Sequence, residues 1–239
     1  MKNDVLKARR FEELFDRAYL RDTTEYTDFL NLDELSTLIS LRIPCELYGG
    51  YENAERCVAA FGDNPEFPIK CIKIEPKSRK FAEWLGHRDF LGSILSIGID
   101  RSLIGDIVVE NDTGYVFCIN SIADYIMQNV TTVRRTSVKC SLTDELPECA
   151  SQKPEISSFV VASLRLDALI SAVYRLSRSE ASQLINSESV FINSRLETKE
   201  SKLIDDGDII SVRGKGRFIF ENAERRTKKG RIVVEIRKY

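Results

Sequence analysis

The sequence predicts an α+β protein in three segments: a small, mainly helical N-terminal domain over 1–68, a mixed domain over 69–150, and a C-terminal domain over 158–239 that closes in a β-hairpin. Three observations carry this reading. Apolar residues recur at helical spacing near the N-terminus and again after residue 165. Short β-branched runs bounded by turn residues fill 69–142 and 190–239. The charge changes sign along the chain: 1–156 is net −7 and 157–239 is net +5, within a total of −2.

In the first segment, Leu6, Phe11, Leu14, Phe15 and Ala18 mark a helix over 5–20. Leu32, Leu35, Leu38 and Ile39 mark a second over 32–41. "CELYGGYENAERCVAAFG" reads as a short strand, a Gly49-Gly50 turn and a helix ending at Gly62.

In the second segment, "IKCIKIE" (69–75) reads as a strand, and 78–86 and 89–98 as helix. "GDIVVE" (105–110), the turn "NDTG" and "YVFCI" (115–119) read as a hairpin. A helix over 121–130, with Ser121 as N-cap, and a strand over 135–142 complete it. The order β-α-β-β-α-β is that of ferredoxin-like domains, which RRM modules share. The polar stretch 142–157 reads as a linker.

The third segment opens with helices over 165–176 and from "SRSE", where Ser177 and Glu180 have capping-box spacing. "VFIN" and "GDIISVRG" read as strands. "RFIFENA" and "GRIVVEIRKY" read as a hairpin joined by the basic "ERRTKKG".

Composition excludes several classes. No apolar run approaches the roughly 20 residues that span a bilayer. The N-terminal residues lack the apolar core and small-residue cleavage site of a secretory signal, so a cytoplasmic protein is expected. Six scattered cysteines without a CxxC pair fit reduced thiols. With a single His, no metal site is expected, and no cofactor motif is present.

The basic end is a candidate polyanion-binding surface, with a solvated charged face as the alternative, since 212–239 carries ten bases against three acids. Read as a strand, "VRGKGRF" puts Arg213, Lys215 and Arg217 on one face. Arg178 and Ser179 fall in the first turn of a helix, where N–H groups and the helix dipole favour phosphate. Ser182 and Gln183 lie further along that helix, and Arg165 opens the preceding one. Asp167 joins them as the acid of "RLD", with a helix-start or ion-pair role rather than a catalytic one.

"RLD", "SRSEASQLI", "VFIN" and "DDGDIISVRGKGRF" resemble the S4 RNA-binding domain. Together with "TDFLNLDE", "GGYENAER" and "GHRDFLGSILSIGIDRSLIGDI", they resemble YlmH-type S4-domain proteins over nearly the whole chain. The resemblance implies RNA contact by Arg165, Arg178, Ser179 and Asn193, with Ser194 beside it. This chain departs from the S4 pattern in having Glu188 and Ser194 where glycines are usual.

In the middle domain, Tyr115 and Phe117 share one strand face, and packing is the favoured reading over base stacking. Lys77, Arg79, Lys80 and Arg88 form a second, less specific RNA surface. His87 has no catalytic partner in sequence.

The resemblance implies a non-enzymatic protein binding rRNA and tRNA on the large ribosomal subunit, in ribosome-associated quality control. The expected partners include no membrane, and the free chain is expected to be a monomer. The alternatives are a scaffold linked to cell division and an accessory to, or enzyme of, RNA modification.

Overall fold

The computed structural model describes residues 2–52, 54–79, 83–147, 150, 156–227 and 230–238. It is a mixed α+β structure, with six α-helices among the described residues and three antiparallel sheets. The chain divides into two compact units, Met1–Gln152 and Lys153–Tyr239.

The first unit begins with α1 (Lys2–Arg21) and α2 (Leu32–Leu41). On α1, Phe11 and Ala18 are buried and Leu14 and Phe15 pack beside them. Leu6, placed on that stripe from the sequence, is instead 63% exposed. Asn31 opens α2 with a capping box: its Oδ1 accepts from the Asp33 and Glu34 N–H groups, while the Glu34 carboxylate accepts from Asn31 N.

β1 (Glu25–Tyr26), β2 (Glu46–Tyr48) and β3 (Val58–Phe61) form a three-stranded sheet in the order β1-β3-β2. The helix expected to end at Gly62 is therefore wrong over 58–61, where the chain is β3. All four β3 residues are fully buried. Ala59 and Phe61 join the α1–α2 core, and Val58 joins a second cluster with Phe117. A strand buried on both faces shows no alternation, so its periodicity is that of any short apolar run.

The rest of the unit holds β4 (Ile69–Pro76), α3 (His87–Ser96), β5 (Ile104–Glu110), β6 (Thr113–Ile119), α4 (Asn120–Asn129), β7 (Thr132–Val133) and β8 (Thr136–Leu142). The sheet runs β5-β6-β4-β8-β7, so the first and third long strands are central neighbours. Asn111 and Asp112, both left-handed, make the two-residue hairpin turn. Two details correct the sequence reading. Residues 83–86 are not helical, and α4 starts at Asn120 with Ile119 at the cap, so Ser121 lies inside the helix.

One face of this sheet packs on α3 and α4 through Ile72, Ile74, Val116, Phe90, Ile94 and Ile126. The opposite face is also covered. Phe117 is 1% exposed and stacks on Tyr51, with ring centroids 5.0 Å apart. Gly50, at φ +100°, lies so close that a Cβ there would sit 2.3 Å from the Phe117 ring. Of the linker expected over 142–157, residues 148–149 and 151–155 lie outside the described residues; Leu142 and Ile156, near its ends, belong to strands.

The second unit has a strand the sequence reading missed, β9 (Ile156–Val161). It continues through α5 (Leu166–Tyr174), α6 (Arg178–Asn186), β10 (Val190–Ile192), β11 (Arg195–Leu196), β12 (Ile209–Val212), β13 (Gly216–Arg226) and β14 (Ile232–Lys238). The six strands are ordered β11-β10-β12-β13-β14-β9. Leu169, Ile170, Val173 and Ile185 of the two helices pack on Val190, Ile210, Phe218, Phe220 and Val234 of the sheet.

Candidate nucleic-acid interface

The N-terminal end of α5 sets the first part of the site. Arg165 is its N-cap and Asp167 lies in its first turn. The Leu166 N–H donates to Lys202 O and the Asp167 N–H to Glu200 O, so backbone from 200–202 satisfies this helix end.

The Asp167 side chain is only 8% exposed and collects two guanidiniums. Arg165 donates from Nε to Oδ1 at 3.1 Å and from Nη2 to Oδ2 at 3.2 Å. Arg178, the first residue of α6, brings Nη1 to 2.6 Å from Oδ1. Both arginine side chains remain about half exposed, at 40% and 48%. Burial alone would raise the Asp167 carboxyl, but the Arg165 hydrogen bond and the Arg178 charge overcome this and hold it below the usual value. Asp167 is thus not an outward-facing RNA contact, as its place among the candidate RNA-binding residues had it. It is a buried anchor that holds two cations side by side.

The capping box of α6 is present: Glu180 Oε2 accepts from Ser177 N at 2.7 Å, and Ser177 Oγ accepts from Glu180 N at 3.2 Å. A carboxylate therefore already sits at the helix end where a phosphate was expected. Backbone and side-chain hydrogen bonds from Ser177, with a contribution from the Lys215 charge, keep Glu180 below its ordinary value.

Lys215 is close because "VRGKGRF" is not one strand. β12 ends at Val212, β13 starts at Gly216, and those two residues pair. Arg213, Gly214 and Lys215 form a three-residue turn, with Gly214 left-handed at φ +74°. The single-face argument for the three cations fails. A hairpin tip takes its place, presenting Arg213 and Lys215 exposed, with Arg217 half-buried on β13. The tip is tied down by Arg213 N, which donates to Ser189 O at 2.9 Å, and by the Arg213 guanidinium over the Phe191 ring at 5.2 Å.

Ser179 and Gln183 are exposed on α6, and Ser182 is half-buried there. Asn193 and Ser194 serve the fold. Both are left-handed, at φ 49° and 62°, and form the two-residue turn between β10 and β11. The Asn193 side chain donates to Asp208 at 2.7 Å and accepts from Ile209 N at 2.9 Å. Its amide is thus committed to the β12 approach. Glu188, at φ 56°, also occupies a left-handed position where S4 domains carry Gly. Ser194→Gly is expected to stabilise the protein by about 1 kcal/mol, since a side chain at such a position costs roughly that much. Urea denaturation measures it; an unchanged or lower midpoint would contradict the strain argument.

On the first unit, Lys77, Arg79 and Arg88 are exposed, as is His87, while Lys80 lies outside the described residues. No group of three or more metal-ligating side chains occurs among the described residues.

The sequence reading quoted "GGYENAER" and "GIDRSLIGDI" without a role. In the structure they lock together. Asp106 accepts from Tyr51 OH at 2.9 Å, Glu55 N at 2.7 Å and Arg56 N at 3.2 Å. Arg56 donates to Ile104 O at 3.0 Å and to Phe29 O at 2.8 Å. Arg101 donates to the carbonyls of Ile104 and Gly105. Burial, and then the neighbouring Arg56 charge, lowers the Arg101 guanidinium. These contacts hold Tyr51, Glu55 and Arg56 in place, and with Tyr51 and Gly50 against it the Phe117 ring is closed to base stacking.

Residues 63–145, which contain β4 to β8, match the family model described as "Putative RNA-binding domain in YlmH". The chain is 29% identical over 217 residues to ribosome-associated protein quality control protein P2 of Bacillus subtilis (strain 168), covering 85% of this chain and 82% of that protein. A solved structure, the cell division protein ylmH from Streptococcus pneumoniae, aligns with 59% of this chain and 91% of its own, at 21% identity and TM-score 0.49. Residues 63–145 thus match the RNA-binding domain described for YlmH, and the chain is similar over most of both lengths to a protein named for ribosome-associated quality control.

Proposed function

We propose that the protein holds structured RNA, gripping rRNA and tRNA on the large ribosomal subunit, in the cytoplasm, during ribosome-associated quality control. The single observation that carries the RNA face is the buried Asp167 carboxylate with Arg165 and Arg178 on it, Arg178 being the first residue of α6. Cations fixed on a rigid module contact phosphates at little ordering cost. Two helices followed by short strands support the S4 reading of this unit, and the β5-β6-β4-β8 order supports the ferredoxin-like reading of the middle domain. The ribosomal setting rests on the name of the Bacillus subtilis relative.

The test is the triple substitution Arg178→Ala, Arg213→Ala, Arg217→Ala in the full chain. RNA affinity is expected to fall by roughly two orders of magnitude at moderate salt. The slope of log K against log salt should drop by about 0.7–0.9 per lost phosphate contact. Fluorescence anisotropy against a salt series reads both. A folded triple variant that binds like the parent refutes this face. Sucrose-gradient sedimentation with purified large subunits tests the ribosomal part separately.

A further inference from the structure

We infer that the far end of the β13–β14 hairpin is a second RNA-backbone contact, separate from the Asp167-centred face. The inference rests on the RNA-binding reading above and extends it to a site which that reading does not use.

β13 is 11 residues long, more than twice the length of β12 beside it. Its pairing with β12 stops at Ile219, whereas its pairing with β14 runs on to Arg226 opposite Ile232. The strand therefore has two ends with different jobs. One is the Arg213–Lys215 turn. The other lies on the order of 30 Å away at about 3.3 Å per residue, less what two register shifts remove. A phosphate group at one end cannot be reached from the other.

The two halves of the hairpin differ in chemistry. Near its base, charges are compensated: Arg237 donates to Glu221, and Asn222 donates to Glu235 at 2.9 Å. Past the second shift the sequence supplies Arg225, Arg226 and Arg231, with Glu224 as the one acid nearby. Glu224 lies 3.5 Å from Arg225, an exposed pair of little strength. All three arginines are exposed.

Like charges gathered at a closed turn cost a hairpin stability. The described residues that flank the turn are tied together: Thr227 N donates to Arg231 O at 2.7 Å, Arg231 N to Thr227 Oγ1 at 3.1 Å and Gly230 N to Thr227 O at 2.9 Å. An end so held, with three arginines against one acid, suits a polyanion with regularly spaced phosphates. RNA is preferred over an acidic protein surface because the opposite end of the same strand carries the proposed RNA face.

The experiment uses the full chain and two RNAs, a short stem-loop that covers one end of the sheet and a long duplex that spans both. Arg225→Gln, Arg226→Gln, Arg231→Gln is expected to lower affinity for the long RNA about ten-fold and to reduce its salt slope by up to about 3 units. Affinity for the short stem-loop should be unchanged. Arg178→Ala, Arg213→Ala, Arg217→Ala should weaken both RNAs. Parental binding of the long RNA by the tip variant overturns the second contact and leaves the first face standing. Equal loss on both RNAs also overturns it, because the tip would then belong to one continuous site. Loss of binding to neither RNA in either variant sinks the underlying reading instead. A circular dichroism melt at the parental midpoint establishes that the glutamine variant is folded, and single Arg226→Gln serves where the triple is not.

Discussion

Replacing Asp167 with asparagine is expected to weaken RNA binding about ten-fold, although it removes a negative charge from the RNA-binding unit. Long-range electrostatics alone gives the opposite sign, since net charge rises by one. The local geometry decides. One buried carboxylate fixes both Arg165 and Arg178. Without it two guanidiniums repel each other, and each must be ordered again when RNA arrives. That ordering costs about 0.5–1.5 kcal/mol per side chain, which is enough for the expected loss.

The same change should cost stability of about 2–4 kcal/mol at neutral pH, as breaking a largely buried ion pair does. Its pH dependence follows from the direction of the shift. The folded Asp167 carboxyl lies below its ordinary value of 3.8, so its stabilisation is complete above that value and is lost as pH falls through the lower, folded one. The gap between parent and variant in urea melts should therefore hold from neutral pH to about pH 4 and close below it. Tighter RNA binding by the asparagine variant would show that Asp167 is only a repulsive charge.

What the sequence made legible was local. The bounds of α2 came from one apolar stripe, and the α6 capping box from two residues three apart, because the forces that set them act within a turn. The β5–β6 hairpin came from the turn signal "NDTG", of which Asn111 and Asp112 make the turn while Thr113 and Gly114 belong to β6. The failures were non-local. Val58 to Phe61 read as helix because the partners that bury both faces lie elsewhere in the chain. "VRGKGRF" read as a strand because cation–glycine alternation fits both a strand and a tight turn, and pairing of Val212 with Gly216 decides between them. Tyr115 and Phe117 were rightly placed on one face, yet what covers that face, Tyr51, is over 60 residues upstream. In the candidate site the cations were legible as charge, while the roles of Asp167 and Asn193 as internal anchors needed the hydrogen-bond partners.

Arg56→Ala is expected to destabilise the first unit by about 3–5 kcal/mol, among the largest effects available to a single polar residue. Arg56 reaches across the unit: Nε serves Ile104 O, and Nη2 serves Phe29 O and, at 3.4 Å, Arg101 O. Truncation removes this donor from all three carbonyls; Ile104 O keeps Arg101 and Arg101 O keeps the Ile104 N–H, so the roughly 1–3 kcal/mol cost of a lost partner falls mainly on Phe29 O. It also removes a cation beside Asp106, which holds the loop through Tyr51, Glu55 and the Arg56 N–H. Arg56→Lys should recover less than half of the loss, because one ammonium cannot reproduce the guanidinium's diverging donors. The consequence extends to the sheet face. If this network is what keeps Tyr51 stacked on Phe117, the alanine variant should bind a hydrophobic dye and show faster amide exchange in β6 before global unfolding. Parental exchange in β6 together with a lowered melting midpoint would mean that the ring stack and its apolar neighbours, rather than the arginine, close that face.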